Sequence, residues 1–129
     1  MGCRRLLFLR AALLLGALCA AAAGTLADPA ALSQSYRNEV DRRLELPADE
    51  AHRYDELARA ALAAAGISLA SAEYVVVIDR NPHVQALLLY WLPPGAPGWL
   101  VGASPVSTRR GGAFDHFETP LGVFEHGTA

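Results

Sequence analysis

Two adjacent apolar segments decide the fold of this 129-residue chain: Glu73–Asp79 (EYVVVID) and residues 84–92 (VQALLLYWL). Aliphatic, β-branched and aromatic residues dominate both segments and favour extended structure. Residues 80–83 (RNPH) separate them and contain an Asn-Pro pair, which is typical of a turn, so the sequence predicts a β-hairpin. Because both segments are apolar at successive positions, we expect strands that other elements cover on both faces.

Toward the C-terminus, the sequence predicts further strands. A turn-forming run over residues 93–98 (PPGAPG) precedes a third strand over residues 99–107, in which Pro105 indicates an edge or bulge position because proline cannot donate to a ladder. A polar loop over residues 109–120 leads to a last, short strand over residues 121–126. This half of the chain is therefore expected to form a sheet of about four strands.

Toward the N-terminus, residues 28–66 predict an Ala-rich helical hairpin that packs against the sheet or against itself. Asp28 is a favourable N-cap and Pro29 suits the first helical position. The second helix is expected to open at Pro47 and to end at Gly66. The first helix should carry an apolar stripe of Leu32, Tyr36, Val40 and Leu44. The predicted fold class is α+β, with the helical hairpin followed by a mostly β region.

Residues 1–27 predict a secretory signal peptide. Three arginines lie among the first ten residues, an uncharged stretch follows over residues 11–23, and small residues continue to Ala27. We therefore expect export to the periplasm or the cell envelope. The alternative is that these residues are retained as a membrane anchor, and we expect contact with the membrane only in that case. Residues 11–27 argue against an anchor, because they are fewer than the roughly 20 apolar residues that span a bilayer.

Composition argues against several classes of protein. Residues 28–129 contain eight arginines, no lysine and thirteen acidic residues, a formal charge of −5, which disfavours nucleic-acid binding through phosphate neutralisation. Both cysteines, Cys3 and Cys19, lie in the predicted leader, so the rest of the sequence has no thiol. The histidines lack zinc-site spacing, and no glycine-rich phosphate loop precedes a helix. We predict no metal, no cofactor and no nucleic-acid partner.

Four segments of the predicted sheet region form a recognisable pattern by their order and spacing. They are residues 74–79 (YVVVID), 85–90 (QALLLY), 106–108 (VST) and 119–124 (TPLGVF). Over residues 73–126 this pattern resembles the L,D-transpeptidase (YkuD-type) catalytic domain. In that family a strand ends near an Asp, and the next opens with Gln and closes with an aromatic residue. Val-Ser-Thr-Gly and Thr-Pro-x-Gly-x-Phe segments follow, although Arg109 occupies the position where the family usually has Gly.

The resemblance implies a mostly β fold that cross-links peptidoglycan stem peptides outside the cytoplasm. In the family, a cysteine thiolate attacks a carbonyl of the donor stem peptide, and a histidine acts as its base. By resemblance, the substrate-binding residues of this chain are Ser107, Thr108, Thr119, Pro120 and Gly122.

The family's catalytic segments, His-Gly and Ser-His-Gly-Cys-x-Arg, follow the Thr-Pro-x-Gly strand, whereas this sequence ends at Ala129. We therefore expect an incomplete sheet, no catalytic residue and no activity from this chain alone. The alternative interpretation is a non-catalytic periplasmic α+β module that binds or scaffolds components of the cell envelope. The sequence leaves the oligomeric state open.

Overall fold

A computed structural model describes residues 28–108 and 119–126 of the chain. Two helices precede a three-stranded antiparallel sheet whose spatial order is the order of the sequence. The elements are α1 (Pro29–Glu39), α2 (Ala48–Ala64), β1 (Glu73–Asp79), β2 (Ala86–Leu92) and β3 (Trp99–Pro105). The predicted α+β class is confirmed. The predicted signal peptide, residues 1–27, and residues 109–118 of the predicted loop lie outside the described residues.

Both helices begin where the sequence predicts. The Asp28 side chain accepts a hydrogen bond from the N–H of Ala31 at 3.1 Å, and Pro29 occupies the first turn of α1. The second helix, α2, follows Pro47 and ends two residues before Gly66, whose φ of +76° lies in the left-handed region that favours glycine. Within the described residues, neither helix has the length and apolar composition needed to cross a membrane.

The first helix is shorter than its predicted apolar stripe. It ends at Glu39, and the next residue, Val40, already has extended backbone. Leu44 lies outside the helix, and its N–H donates to the carbonyl oxygen of Ala103 in β3 at 2.8 Å. The prediction of helical structure at Val40 and Leu44 was therefore wrong. The backbone N–H of Leu44 bonds to the edge of β3 rather than to a helical carbonyl, and the Leu44 side chain packs against the core.

The predicted hairpin is confirmed: β1 and β2 pair antiparallel along their full lengths. In the turn, the carbonyl of Asn81 accepts hydrogen bonds from the N–H groups of Val84 at 2.8 Å and Gln85 at 2.9 Å. Because these two residues belong to the turn, β2 begins at Ala86 rather than at the predicted residue 84.

The third strand, β3, pairs antiparallel with β2, and the register shifts between Leu89 and Tyr90. It ends at Pro105, two residues earlier than predicted, although the N–H of Val106 still donates to the carbonyl of Gln85 at 2.8 Å. Among the described strands β3 lies at an edge of the sheet, as Pro105 indicates.

Only one face of the sheet is fully covered. Residues of α2 pack on that face against alternate residues of β2, and the core comprises Tyr54, Ala58, Leu62, Ala86, Leu88, Tyr90, Leu92 and Ala103. On the opposite face, Val76 is 54% exposed and Ile78 is 41% exposed. The expectation that both faces of the strands are covered was therefore wrong for β1, because no described element packs over these two side chains.

The two predicted helices lie on opposite faces of the sheet. The Tyr36 ring of α1 lies against Gly102, which pairs with Leu89 and shares its face, whereas α2 packs against the face of Leu88. Residues 40–47 pass from one face to the other around the outer edge of β3, where Leu44 bonds to it. The helices therefore pack on the sheet, which is one of the two arrangements that the sequence left open for residues 28–66.

The predicted last strand, residues 121–126, is not a strand. Within the described residues this segment has no ladder partner, and Leu121 and Phe124 are exposed. A strand requires a neighbouring strand to satisfy its backbone groups, so apolar residues alone do not produce one in this segment.

Candidate functional site

The structure brings together the two segments that contain the predicted substrate-binding residues. The N–H of Thr119 donates to the carbonyl of Thr108 at 3.4 Å. Ser107 precedes the buried Thr108 and is exposed, and Pro120 and Gly122 continue from Thr119 along an exposed stretch. The two segments thus adjoin beyond the end of β3, and we call these five residues the Ser107–Thr119 region; Thr108 is buried within it, and Ser107, Pro120 and Gly122 are exposed.

Gln85 connects this region to the β1–β2 turn. Its φ of +45° lies in the left-handed region, which is uncommon for a residue other than glycine. Its backbone N–H donates to the carbonyl of Asn81 at 2.9 Å, and its own carbonyl accepts from the N–H of Val106 at 2.8 Å. Its side-chain Oε1 accepts from the N–H of Thr108 at 3.2 Å, while Nε2 donates to the carbonyl of Pro82 at 3.2 Å. All four polar groups of Gln85 are engaged.

The Gln85 side chain takes the place of a missing residue of β2. In an antiparallel ladder, the backbone groups of one strand that bond to its neighbour recur at every second residue. After the N–H of Val106, the next donor on this side is the N–H of Thr108. If β2 began a few residues before Ala86, a backbone carbonyl of that added stretch would accept this hydrogen bond. The chain turns away at residues 82–84, and the Gln85 amide oxygen accepts this hydrogen bond instead.

Sequence reasoning missed Gln85 as a site residue, although it opens the second segment of the family resemblance. A glutamine between an Asn-Pro turn and a buried strand is a signal, because its amide can bond to backbone groups at the strand end. The left-handed backbone conformation that aims the amide depends on the turn geometry and was not predictable from the residue type.

A second candidate is a cavity of about 260 Å³ between α2 and the β2–β3 connection. Its lining residues are Ala48, Ala51, His52, Asp55, Tyr90, Pro97, Gly98 and Leu100. The Tyr90 hydroxyl donates to the carbonyl of Ala51 at 2.7 Å, and burial raises the pKa of Tyr90 to about 12. His52 is exposed beside Glu56, 3.5 Å away. The hydroxyl is already bonded and protonated at neutral pH, so it has a structural role.

The buried carboxylate of the cavity, Asp55, is also fully engaged. It accepts from Nε of Arg59 at 2.7 Å and from the N–H of Gly98 at 2.7 Å. Arg59 donates in addition to the carbonyls of Pro93 at 3.1 Å and Ala96 at 2.7 Å. This network attaches the β2–β3 connection to α2, and we assign it to stability rather than to chemistry.

Asp79, the acid that ends the first strand in the family resemblance, has a structural role as well. The Tyr54 hydroxyl donates to its carboxylate at 2.6 Å, and the N–H of Asn81 donates to the other oxygen at 2.8 Å. Burial, followed by the nearby carboxylate of Asp79, raises the pKa of Tyr54. Asp79 therefore joins α2, β1 and the turn.

Within residues 28–108 and 119–126, no three His, Cys, Asp or Glu side chains lie close enough to hold a metal ion. In the same ranges, every buried side-chain nitrogen and oxygen has a hydrogen-bond partner. The Ser107–Thr119 region remains the candidate site.

In comparisons with known proteins, no protein-family model and no curated protein matches the chain. The candidate site therefore rests on the residues and contacts of this chain.

Proposed function

We propose that this chain is an exported cell-envelope protein of L,D-transpeptidase type whose Ser107–Thr119 region binds a peptidoglycan stem peptide. The observation that carries the proposal is the hydrogen-bonded junction at Gln85. Three separate segments of the family resemblance, those that contain Gln85, Thr108 and Thr119, are joined there by successive hydrogen bonds. A resemblance in sequence order alone does not require these segments to meet.

The chemistry of the chain supports binding rather than acyl transfer. Transfer by this family requires a thiolate, and residues 28–129 contain no cysteine. Within the candidate region, the available groups are hydroxyls, such as that of the exposed Ser107, and backbone groups. These groups recognise a peptide through hydrogen bonds but do not form a thioester, so we propose that this chain does not transfer acyl groups by itself.

The predicted leader supports the proposed location. A basic start, a short apolar stretch and a run of small residues before the cleavage site direct a chain out of the cytoplasm. Peptidoglycan also lies outside the cytoplasm. Amino-terminal sequencing of the exported protein tests this step. We expect the amino terminus of the mature protein to lie between residues 22 and 28, whereas a protein that still begins at Met1 in a membrane fraction would favour the retained anchor.

Peptide binding is tested by titrating the exported protein with a stem tetrapeptide in a calorimeter. We expect saturable binding that Gln85→Ala weakens about tenfold, equivalent to about 1.4 kcal/mol, because the variant loses the acceptor for Thr108. Gln34→Ala is the matched control, since Gln34 lies on the exposed surface of α1 and its hydrogen bonds to described residues are with neighbouring side chains of that helix. The proposal fails if the wild-type protein shows no saturable binding.

The absence of acyl transfer is tested separately by incubating the exported protein with a carbapenem and measuring its mass. We expect no covalent adduct, because residues 28–129 offer no thiol. A mass increase equal to the carbapenem would show a nucleophile that this proposal does not contain.

A further inference from the structure

The backbone of Ser107 faces the outer edge of the sheet. The N–H groups of Val106 and Thr108 both bond to Gln85, on the inner side that β2 would occupy. From the alternation of backbone groups along an extended chain, we place the N–H and the carbonyl of Ser107, which lies between these two donors, on the opposite, outer side. Among the described residues, no hydrogen bond involves Ser107, and the residue is exposed.

The same outer edge already accepts another segment of this chain. Four residues before Ser107, the carbonyl of Ala103 accepts hydrogen bonds from the N–H of Leu44 at 2.8 Å and from the Tyr36 hydroxyl. Between them lies Pro105, which faces outward by the same alternation and has no N–H to donate. As far as the described residues extend, the outer edge beyond Ala103 therefore offers the carbonyl of Pro105 and both backbone groups of Ser107.

We propose that a short peptide in extended conformation binds along this edge, with its main chain hydrogen-bonded to Ser107 as an added strand. The inference rests on the proposed function, and the peptide is a stem peptide of peptidoglycan. A long partner strand would place one of its carbonyls opposite Pro105, which has no N–H, and that carbonyl would be left without a hydrogen-bond donor. A peptide of a few residues pairs with Ser107 and avoids that loss, which favours a stem peptide over a strand from a second copy of the chain.

Gln85 is the positioning residue for this edge. Its side-chain amide and its carbonyl hold Thr108 and Val106 from the inner side, so that the residue between them stays extended. Because the edge is ordered before the peptide arrives, binding does not have to order it. The left-handed backbone of Gln85 aims the amide toward Thr108 while the turn bends away.

Two substitutions at one position separate main-chain from side-chain recognition. Ser107→Pro removes an N–H that no described residue uses, and we expect it to weaken binding of the stem tetrapeptide at least tenfold. Ser107→Ala removes the hydroxyl but keeps the N–H, and we expect it to lose clearly less affinity than Ser107→Pro does. The thermal midpoint of each variant, measured in the same buffer, shows whether the fold is retained.

Each outcome of this experiment is decisive. If Ser107→Pro binds as tightly as the wild type, or if Ser107→Ala loses as much affinity as Ser107→Pro, the edge is not the binding surface, while the proposed function survives. If Ser107→Pro does not fold, hydrogen exchange at the wild-type Ser107 amide replaces it: saturating peptide should slow the exchange, and an unchanged rate overturns the inference. If the wild-type protein binds no stem tetrapeptide, the proposed function fails as well.

Discussion

The side chains on the two faces of the sheet are buried to different extents, although they are of similar types. Leu88 of β2 is fully buried beneath α2, whereas Val76, in the middle of the neighbouring strand, is 54% exposed on the other face. Both are aliphatic and central in their strands. The comparison teaches that apolar residues specify a strand, while the docking of a helix decides whether a given face becomes core.

The uncovered area results from where α1 is attached. Gly102 has no side chain, so the Tyr36 ring lies directly on the backbone of β3, and the Trp99 indole N–H donates to the Ser33 hydroxyl at 3.1 Å. Both contacts hold α1 over β3. On the same face, Val76 and Ile78 of β1 therefore remain open.

The largest effect is expected from Leu88→Ala on the covered face. We expect it to lower the free energy of unfolding by about 2–5 kcal/mol, because it leaves a cavity among well-packed neighbours. Urea denaturation followed by circular dichroism measures the change. A loss below about 1 kcal/mol would mean that this face is not the principal core.

A smaller loss is expected from Asp55→Asn, which tests the attachment of α2 to the covered face. The variant removes the charge that pairs with Arg59, a residue still partly open to water, so we expect a loss of about 2 kcal/mol. Glu56→Gln is the control, because Glu56 is exposed and its ion pair in the described part of the chain is with the exposed His52. Equal losses for both variants would show that the Asp55 network does not hold the helix.

On the partly covered face, Gly102→Ala tests the position of α1. A Cβ at this position would lie 2.6 Å from ring atoms of Tyr36, so the helix must shift, at a cost of about 1–3 kcal/mol. Thermal denaturation gives the loss. Fluorescence of the tryptophans should also change, since Trp99 bonds to α1. An unaltered stability and spectrum would place α1 elsewhere.

Alkaline pH should weaken the covered face through Tyr90. Burial raises the pKa of Tyr90 to about 12, above its ordinary value of about 10. The contribution of Tyr90 to the free energy of unfolding should be fully present well below pH 10 and be lost as the pH rises toward 12, because the unfolded chain releases the proton that the folded chain retains. Urea denaturation from pH 9 to 12 measures this slope. In Tyr90→Phe the free energy of unfolding should fall less steeply with pH. The slope that remains should come from Tyr54, whose pKa is also raised.

The smallest effect is expected from Val76→Thr on the open face. The side chain is largely in water, so the free energy of unfolding should change by less than about 0.5 kcal/mol. Urea denaturation beside Leu88→Ala sharpens the contrast between the faces. A loss above about 1 kcal/mol would show that Val76 is covered in solution.

Much of the architecture was predictable because it depends on local signals. The cap at Asp28, the turn at Asn81 and the bounds of β1 follow from residue types whose conformational preferences act over a few positions. Of the candidate site, the residue types at Ser107 and Thr119 were named from the family resemblance, but the junction through Gln85 was not. It depends on a backbone angle and on contacts between segments far apart in the sequence.

The sequence by itself determined that α1 and α2 are helices, that β1 and β2 form an antiparallel hairpin, and that residues 28–129 contain no thiol. Propensities and turn residues act over a few neighbouring positions, and composition does not depend on the fold. The tertiary structure alone decided that α1 stops at Glu39, that residues 121–126 do not form a strand, and that Val76 stays open. Each of these depends on whether a partner is within reach: a carbonyl for Leu44, a neighbouring strand, or a helix to exclude water. Such partners are set by how distant segments meet, which no local pattern encodes.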